Sequence, residues 1–146
     1  MDSYNVIGIM SGTSLDGVDV CYANFQHTSQ WNFTIKNAKT FPLPKALKSE
    51  LENATNCSGL ALSFLHNKVG NFIGEAINLF LTENKIIKKE IHFISSHGHT
   101  IFHQPEKNLT LQIGNGKSIK TTTNIKTIFD FRSKDVSLGG QGAPLV

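Results

Sequence analysis

The chain is short of cysteine, short of charge, and without any long apolar run, and each shortage removes a class of protein. Two cysteines, Cys21 and Cys57, lie far apart; neither a disulfide framework nor a zinc site can be built from them. Cys21 falls inside an apolar stretch, where a buried free thiol is the default. No apolar run approaches the roughly 20 residues that span a bilayer. Met1-Asp2-Ser3-Tyr4 lacks the basic start of a secretion signal, so the expected address is the cytoplasm, with no membrane partner. Charged residues make up 17% and the net charge is only +3. The lysines are scattered, with Lys88-Lys89 the one adjacent pair, and no basic stripe interleaves with aromatics, so nucleic acid is not an expected partner. Repeats, low-complexity tracts and linkers are also missing. What is left is a 146-residue chain with 39% hydrophobic residues, enough for one domain that hides roughly 70% of its unfolded surface.

Strand and helix patterns fill most of it. Tyr4 to Met10 and Val18 to Phe25 read as two strands joined by a tight turn. Trp31 to Thr40 reads as a third, with Trp31, Phe33 and Ile35 on one face. Two prolines, Pro42 and Pro44, end it, and Pro44 suits the start of a helix over 45–53. Leu65, Val69, Phe72, Ile73, Ala76, Ile77 and Phe80 recur at helical spacing and predict an amphipathic helix over 60–81, with Ser58 as its N-cap. Gly70 and Gly74, four apart on that helix, suggest close packing against a sheet. Ile91 to Ser95 reads as a short buried strand, Ser96 to Lys107 as a loop, and Leu109 to Ile113 as a strand. Lys117 to Thr123 reads as a turn or two of helix. Ile125 to Asp130 reads as a strand running into Phe131-Arg132, Ser137 to Pro144 as a glycine-rich loop, and Leu145-Val146 as the start of a further apolar run. The order β-β-β-α-α-β-β-α-β predicts an α/β layer fold.

The chemistry concentrates in the first turn. Ser11 to Gly17 holds three hydroxyls, two glycines and one carboxylate, more than a hairpin tip needs. Gly12 and Gly17 bracket it, where positive φ or close approach to a ligand is cheap for glycine. Ser11, Thr13 and Ser14 offer hydroxyls and amides to an anionic oxygen, above all phosphate. Asp16 and Asp19 offer oxygens to Mg²⁺. The turn is neither G-x-x-x-x-G-K-[ST] nor G-x-G-x-x-G before a helix, so the spacing alone also fits a polar hairpin tip. Further on, His97, His99 and His103 place three of the six histidines within seven residues. Zinc catalysis uses such a trio, whereas hydrogen bonding to backbone or substrate needs no metal and suits a loop without ordered carboxylates. Gln112 at a strand end could face solvent or a cleft. Asp130 and Arg132 flank Phe131 and share a side if the strand continues, as a salt-linked pair or as substrate ligands; Arg132 could grip a carboxylate through two parallel hydrogen bonds.

Four stretches in order carry a resemblance: Gly8-Ile9-Met10-Ser11-Gly12-Thr13-Ser14-Leu15-Asp16-Gly17-Val18-Asp19; Ser96-His97-Gly98; Leu111-Gln112-Ile113-Gly114; and Asp130-Phe131-Arg132 with Gly139-Gly140-Gln141-Gly142-Ala143-Pro144-Leu145-Val146. Together they resemble the anhydro-N-acetylmuramic acid kinases of bacterial cell-wall recycling, over nearly the whole chain but only about the first 40% of such an enzyme. The resemblance implies an actin/hexokinase-like (ribonuclease H-like) lobe whose first three strands are antiparallel, with ATP held between this lobe and a C-terminal one. It implies ATP and Mg²⁺ as cofactors. ATP would meet Gly12, Thr13, Ser14, Leu15, Asp16, Gly17, Val18 and Asp19, with the metal at Asp16 and Asp19, and the sugar at His97, Gln112, Asp130 and Arg132. The family motif is Ser/Cys-His-Gly-Gln-Thr, and this chain has His99 where Gln is usual. The aspartate that activates water lies beyond Val146 in the family, so no catalytic base is assigned and the piece by itself is expected to be inactive. A lobe cut at its cleft exposes apolar surface, which favours self-association, for instance as a homodimer. A non-catalytic sugar- or nucleotide-binding module and a His-loop metal hydrolase stand as the alternatives.

Overall fold

The computed structural model describes residues 2–143; Leu145 and Val146, and with them the expected final apolar run, lie outside the described residues. The first hairpin forms as its apolar alternation dictates. Strands β1 (Asp2–Ser11), β2 (Gly17–His27) and β3 (Trp31–Pro42) are antiparallel neighbours, longer than the apolar residues alone suggest because each edge of a hairpin is held by the ladder of the next. Pro42 is the last residue of β3 rather than its breaker. Helix α1 (Lys45–Glu52) follows with Pro44 as its N-cap. Helix α2 (Gly59–Glu83) begins where the Ser58 hydroxyl accepts a hydrogen bond from the Ala61 N–H at 3.2 Å, satisfying one of the orphan donors of the first turn.

Strand β4 (Phe93–Gln104) replaces the expected loop after Ser95. Its first half runs parallel to β1 and its second half antiparallel to β5 (Leu109–Ile113). Histidine, glycine and glutamine are poor strand signals, but Phe93–Ser96 is laddered to β1 and His99–Gln104 to β5, and those ladders keep the backbone extended. Helix α3 (Gly116–Thr123) and the short strand β6 (Thr127–Phe129) come next, β6 lying parallel to β4. The chain then enters helix α4 (Phe131–Ser137) where a continuing strand was expected. The sheet has six strands in the order β3-β2-β1-β4-β5, with β6 also on β4. This mixed sheet with helices is the α/β architecture of an actin/hexokinase-like lobe.

One face of the sheet builds the core. Ile7, Ile9, Val18, Val20 and Ile94 pack there with Leu65, Val69, Ile73, Ile77 and Phe80 of α2. Burying each such side chain stabilises the fold by about 1.5–3 kcal/mol. Gly70 and Gly74 face α3, not the sheet: a Cβ on Gly70 would stand 2.6 Å from the Asn115 carbonyl oxygen, and one on Gly74 2.7 Å from Thr122 Cβ. The opposite face carries Trp31, Phe33 and Ile35 at 58%, 66% and 57% exposure. With Tyr4, Val6, Phe25 and Phe93 they line an open apolar cavity of about 720 Å³. Among the described residues no helix is long and apolar enough to cross a membrane.

Candidate functional site

Two groups of residues meet where the end of β1 reaches the middle of β4. The first is the turn between β1 and β2. Met10 pairs with Asp19, and the chain between them leaves the ladder. The Leu15 N–H donates to the Gly12 carbonyl at 3.3 Å, closing a tight turn; among the described residues the Thr13 and Ser14 amides donate to no backbone carbonyl. Leu15, not a glycine, takes the left-handed conformation, at φ 56°, which costs a branched residue roughly 1–2 kcal/mol. Its side chain packs on the core in return. Gly17 is needed for another reason: a Cβ there would stand 2.6 Å from Thr40 Cγ2 and 2.7 Å from the Phe41 carbonyl oxygen, so β3 could not close in.

The acidic groups of the turn are held apart. The Ser14 hydroxyl donates to Asp16 Oδ1 at 2.9 Å. That bond first, and then backbone amides, hold the Asp16 carboxyl below its ordinary value, so it is ionised at neutral pH. Asp19 Oδ1 instead accepts from the Thr40 hydroxyl across the β2–β3 ladder. Both carboxylates are exposed. Val18 is 1% exposed, with its side chain in the core, so only its main chain is left to meet a nucleotide.

The second group gathers around the middle of β4. Gly98 has φ +78°, and a Cβ there would stand 2.6 Å from the Ile113 carbonyl oxygen and 3.3 Å from Gln112 Cβ. Only glycine allows this kink beside β5. Across the kink the register against β1 slips by one residue. His97 and His99 consequently take different partners. His99 is 4% exposed and lies 3.1 Å, Nδ1 to Oγ, from buried Ser11. It therefore braces the start of the β1–β2 turn, and burial, followed by the nearby His97, pushes its pKa down. His97 Nδ1 lies 3.0 Å from the Gly98 carbonyl, and its Nε2 accepts from Arg132 Nε at 2.9 Å. Burial lowers the His97 pKa most, the Gly98 bond raises it, and the Arg132 charge lowers it further.

The structure thus joins His97 to Arg132, places Gln112 beside Gly98, and sends Asp130 elsewhere. Asp130, at φ 61°, turns the chain into α4 and accepts from the Ser133 hydroxyl. The expected Asp130–Arg132 salt link, on a shared strand face, does not form, because the strand stops at Phe129. Gln112 donates to Thr110 Oγ1 at 2.9 Å, while its Oε1 is buried without a partner among the described residues. A buried acceptor left open in this way marks a place for a donor from outside the chain. The glycine-rich segment folds back over α4: the Gly142 N–H donates to Asp135 Oδ2 at 2.7 Å. A Cβ on Gly142 would stand 3.3 Å from both Arg132 Cβ and His103 Cε1. Asp135 escaped the sequence reading, since nothing local ties it to glycines five and seven residues on. His103 was read either as a metal ligand or as a loop histidine hydrogen-bonding backbone or substrate; it lies 3.1 Å, Nδ1 to Oγ1, from the Thr110 hydroxyl. The three histidines therefore serve three different partners, and among the described residues no three His, Cys, Asp or Glu side chains gather as a metal centre would need. That leaves the His-loop metal hydrolase without a site.

The family model described as anhydro-N-acetylmuramic acid kinase matches residues 4–146. Among curated proteins, the chain is 42% identical over 147 residues to the anhydro-N-acetylmuramic acid kinase of Vibrio cholerae, covering 96% of this chain and 38% of that protein. The Shewanella loihica protein of the same name is 40% identical, covering 100% of this chain and 40% of its own length. That of Sulfurovum is 38% identical, covering 99% and 40%. The chain spans about two fifths of the length of these relatives. With its match running from the first strand through the glycine-rich segment, the chain belongs to the anhydro-N-acetylmuramic acid kinase family.

Proposed function

We propose that the chain is the N-terminal lobe of a two-lobed, cytoplasmic sugar kinase. The enzyme phosphorylates 1,6-anhydro-N-acetylmuramic acid with ATP while water opens the anhydro ring, giving N-acetylmuramic acid 6-phosphate for amino-sugar recycling. The observation that carries this reading is the Gly12–Asp16 turn, whose Thr13 and Ser14 amides stand outside the sheet ladders, beside two exposed carboxylates.

Phosphoryl transfer asks a protein to position phosphates and offset their charge more than to do covalent chemistry. The amides of Gly12, Thr13 and Ser14 and the Thr13 hydroxyl bind phosphate oxygens, while the Ser14 hydroxyl orients Asp16. Leu15, Gly17 and Val18 hold the turn open by core packing and close strand pairing. Asp16 and Asp19 would hold Mg²⁺, and their exposed carboxylate oxygens are the ligands a hard cation takes. When bound, Mg²⁺ neutralises phosphate charge; with so few protein ligands, it would keep several waters. His97, Gln112 and Arg132 bind the sugar, and Asp130 shapes the entry to α4. The catalytic base and the rest of the nucleotide pocket belong to the C-terminal lobe.

The test is transfer of the γ-phosphoryl of ATP to the anhydro-sugar by the protein extended to the full length of its relatives. The expected result is stoichiometric sugar 6-phosphate, strongly reduced by Asp16→Asn, and none from residues 1–146 alone. Turnover by residues 1–146, or none by the extended protein, contradicts the reading.

A further inference from the structure

A side chain that takes a hydrogen bond from an arginine also decides where that arginine points. The Gly98 carbonyl can only accept, so His97 Nδ1 carries the proton of the bond to it. Arg132 Nε–H can only donate, so His97 Nε2 carries none. The two partners fix one neutral tautomer from opposite ends of the ring. Arg132 spends Nε on this bond, which leaves its two terminal amino groups side by side. No carboxylate among the described residues forms a salt bridge with them. The two acids nearest in sequence are both diverted, Asp130 to Ser133 and Asp135 to the Gly142 amide. A half-buried guanidinium with its outer fork open fits a planar, two-oxygen anion.

We propose that His97, as the Nδ1–H tautomer, is a positioning residue that aims the outer edge of Arg132 at a carboxylate on the bound sugar. This rests on the sugar-kinase reading, because the anhydro-sugar named there carries a lactyl carboxylate. His97 touches no reacting atom; it acts through Arg132. The charged group that acts on His97 is Arg132 from α4, and His97 in turn acts on His99 of its own strand. Protonating His97 removes the acceptor from Arg132 and sets two positive charges together, so carboxylate selectivity falls at acid pH.

The experiment compares 1,6-anhydro-N-acetylmuramic acid with 1,6-anhydro-N-acetylglucosamine, which lacks the lactyl group, by calorimetric titration of the extended protein. Wild type should prefer the acidic sugar by about tenfold or more, the worth of a hydrogen-bonded charge pair. His97→Leu should erase most of the preference, costing the acidic sugar several-fold more affinity than the neutral one. His97→Gln, whose Oε1 can accept from Arg132 Nε, should restore most of it. A His97→Leu protein that keeps the preference, or loses both sugars equally, overturns the proposal. Nitrogen-15 NMR of the His97 ring decides it without any sugar: a proton on Nε2 at pH 7.5 overturns it, and one on Nδ1 supports it. If wild type binds neither sugar, the kinase reading falls and takes the carboxylate with it, a result distinct from a wrong tautomer.

Discussion

The phosphate-type turn and the His97–Arg132 cluster are adjacent, yet they are built in opposite ways. The turn is a run of neighbours in sequence, shaped by one short backbone bond and packing of Leu15. The cluster joins residues 35 apart, and it exists only because Gly98 kinks β4 while α4 folds back over it. The first tolerates change in its backbone and depends on exposed donors. The second depends on a steric fit with little slack. Ser11 and His99 tie the two together through one buried bond, which fixes the end of β1 against the middle of β4.

The largest effect that distinguishes them is on stability. Gly98→Ala should cost on the order of 2–4 kcal/mol, from a left-handed backbone and a Cβ pressed on the Ile113 carbonyl. Gly12→Ala, whose Cβ would meet only Ser14 Oγ at 3.4 Å, should cost under about 1 kcal/mol. Urea unfolding followed by circular dichroism checks both, and equal costs would erase the contrast.

Next comes ligand choice. Arg132→Lys keeps the charge but loses the fork, so sugar binding should weaken by about tenfold or more while ATP binding changes little. Parallel titrations of the extended protein with sugar and with ATP decide it, and equal losses would merge the two sites into one.

Acid should separate the regions more gently. His66, His97 and His99 all have folded pKa values below the ordinary 6.5, mainly through burial. Their neutral forms are favoured in the folded state, so stability is intact above 6.5 and falls as pH drops below it, where the unfolded chain takes up protons first. Denaturant midpoints from pH 7.5 to 5 should show this decline, and His97→Gln should flatten it. The smallest expected effect is that of His99→Gln, the residue more usual in the family. An amide can still meet Ser11, so the change in stability should stay within about 1 kcal/mol, and a larger loss would mean that the imidazole itself is required.

The same contrast explains what the sequence disclosed. The hairpin strands, the apolar stripe of α2 and its Ser58 cap were legible because their signals are local and periodic. The density of hydroxyls and glycines marked the turn for the same reason, although Leu15 rather than a glycine takes the left-handed position. Strand β4 was hidden by its histidines and glycine, since its extension comes from ladders with β1 and then β5 that no local pattern announces. The apolar residues of 125–130 were read as a strand running into Phe131-Arg132, whereas the left-handed Asp130 backbone ends the extended run and turns the chain into α4. His97 and Arg132 were each marked, but their hydrogen bond was not, because no spacing rule joins residues 35 apart.

The central claim, that the first turn holds nucleotide phosphates, is tested most directly by amide chemical shifts on adding Mg·ATP. The account predicts that the Thr13 and Ser14 amides move most and saturate together, while the amides of α2 and the Trp31–Ile35 face stay still. Nucleotide-dependent shifts that spare Thr13 and Ser14 and appear elsewhere would contradict it.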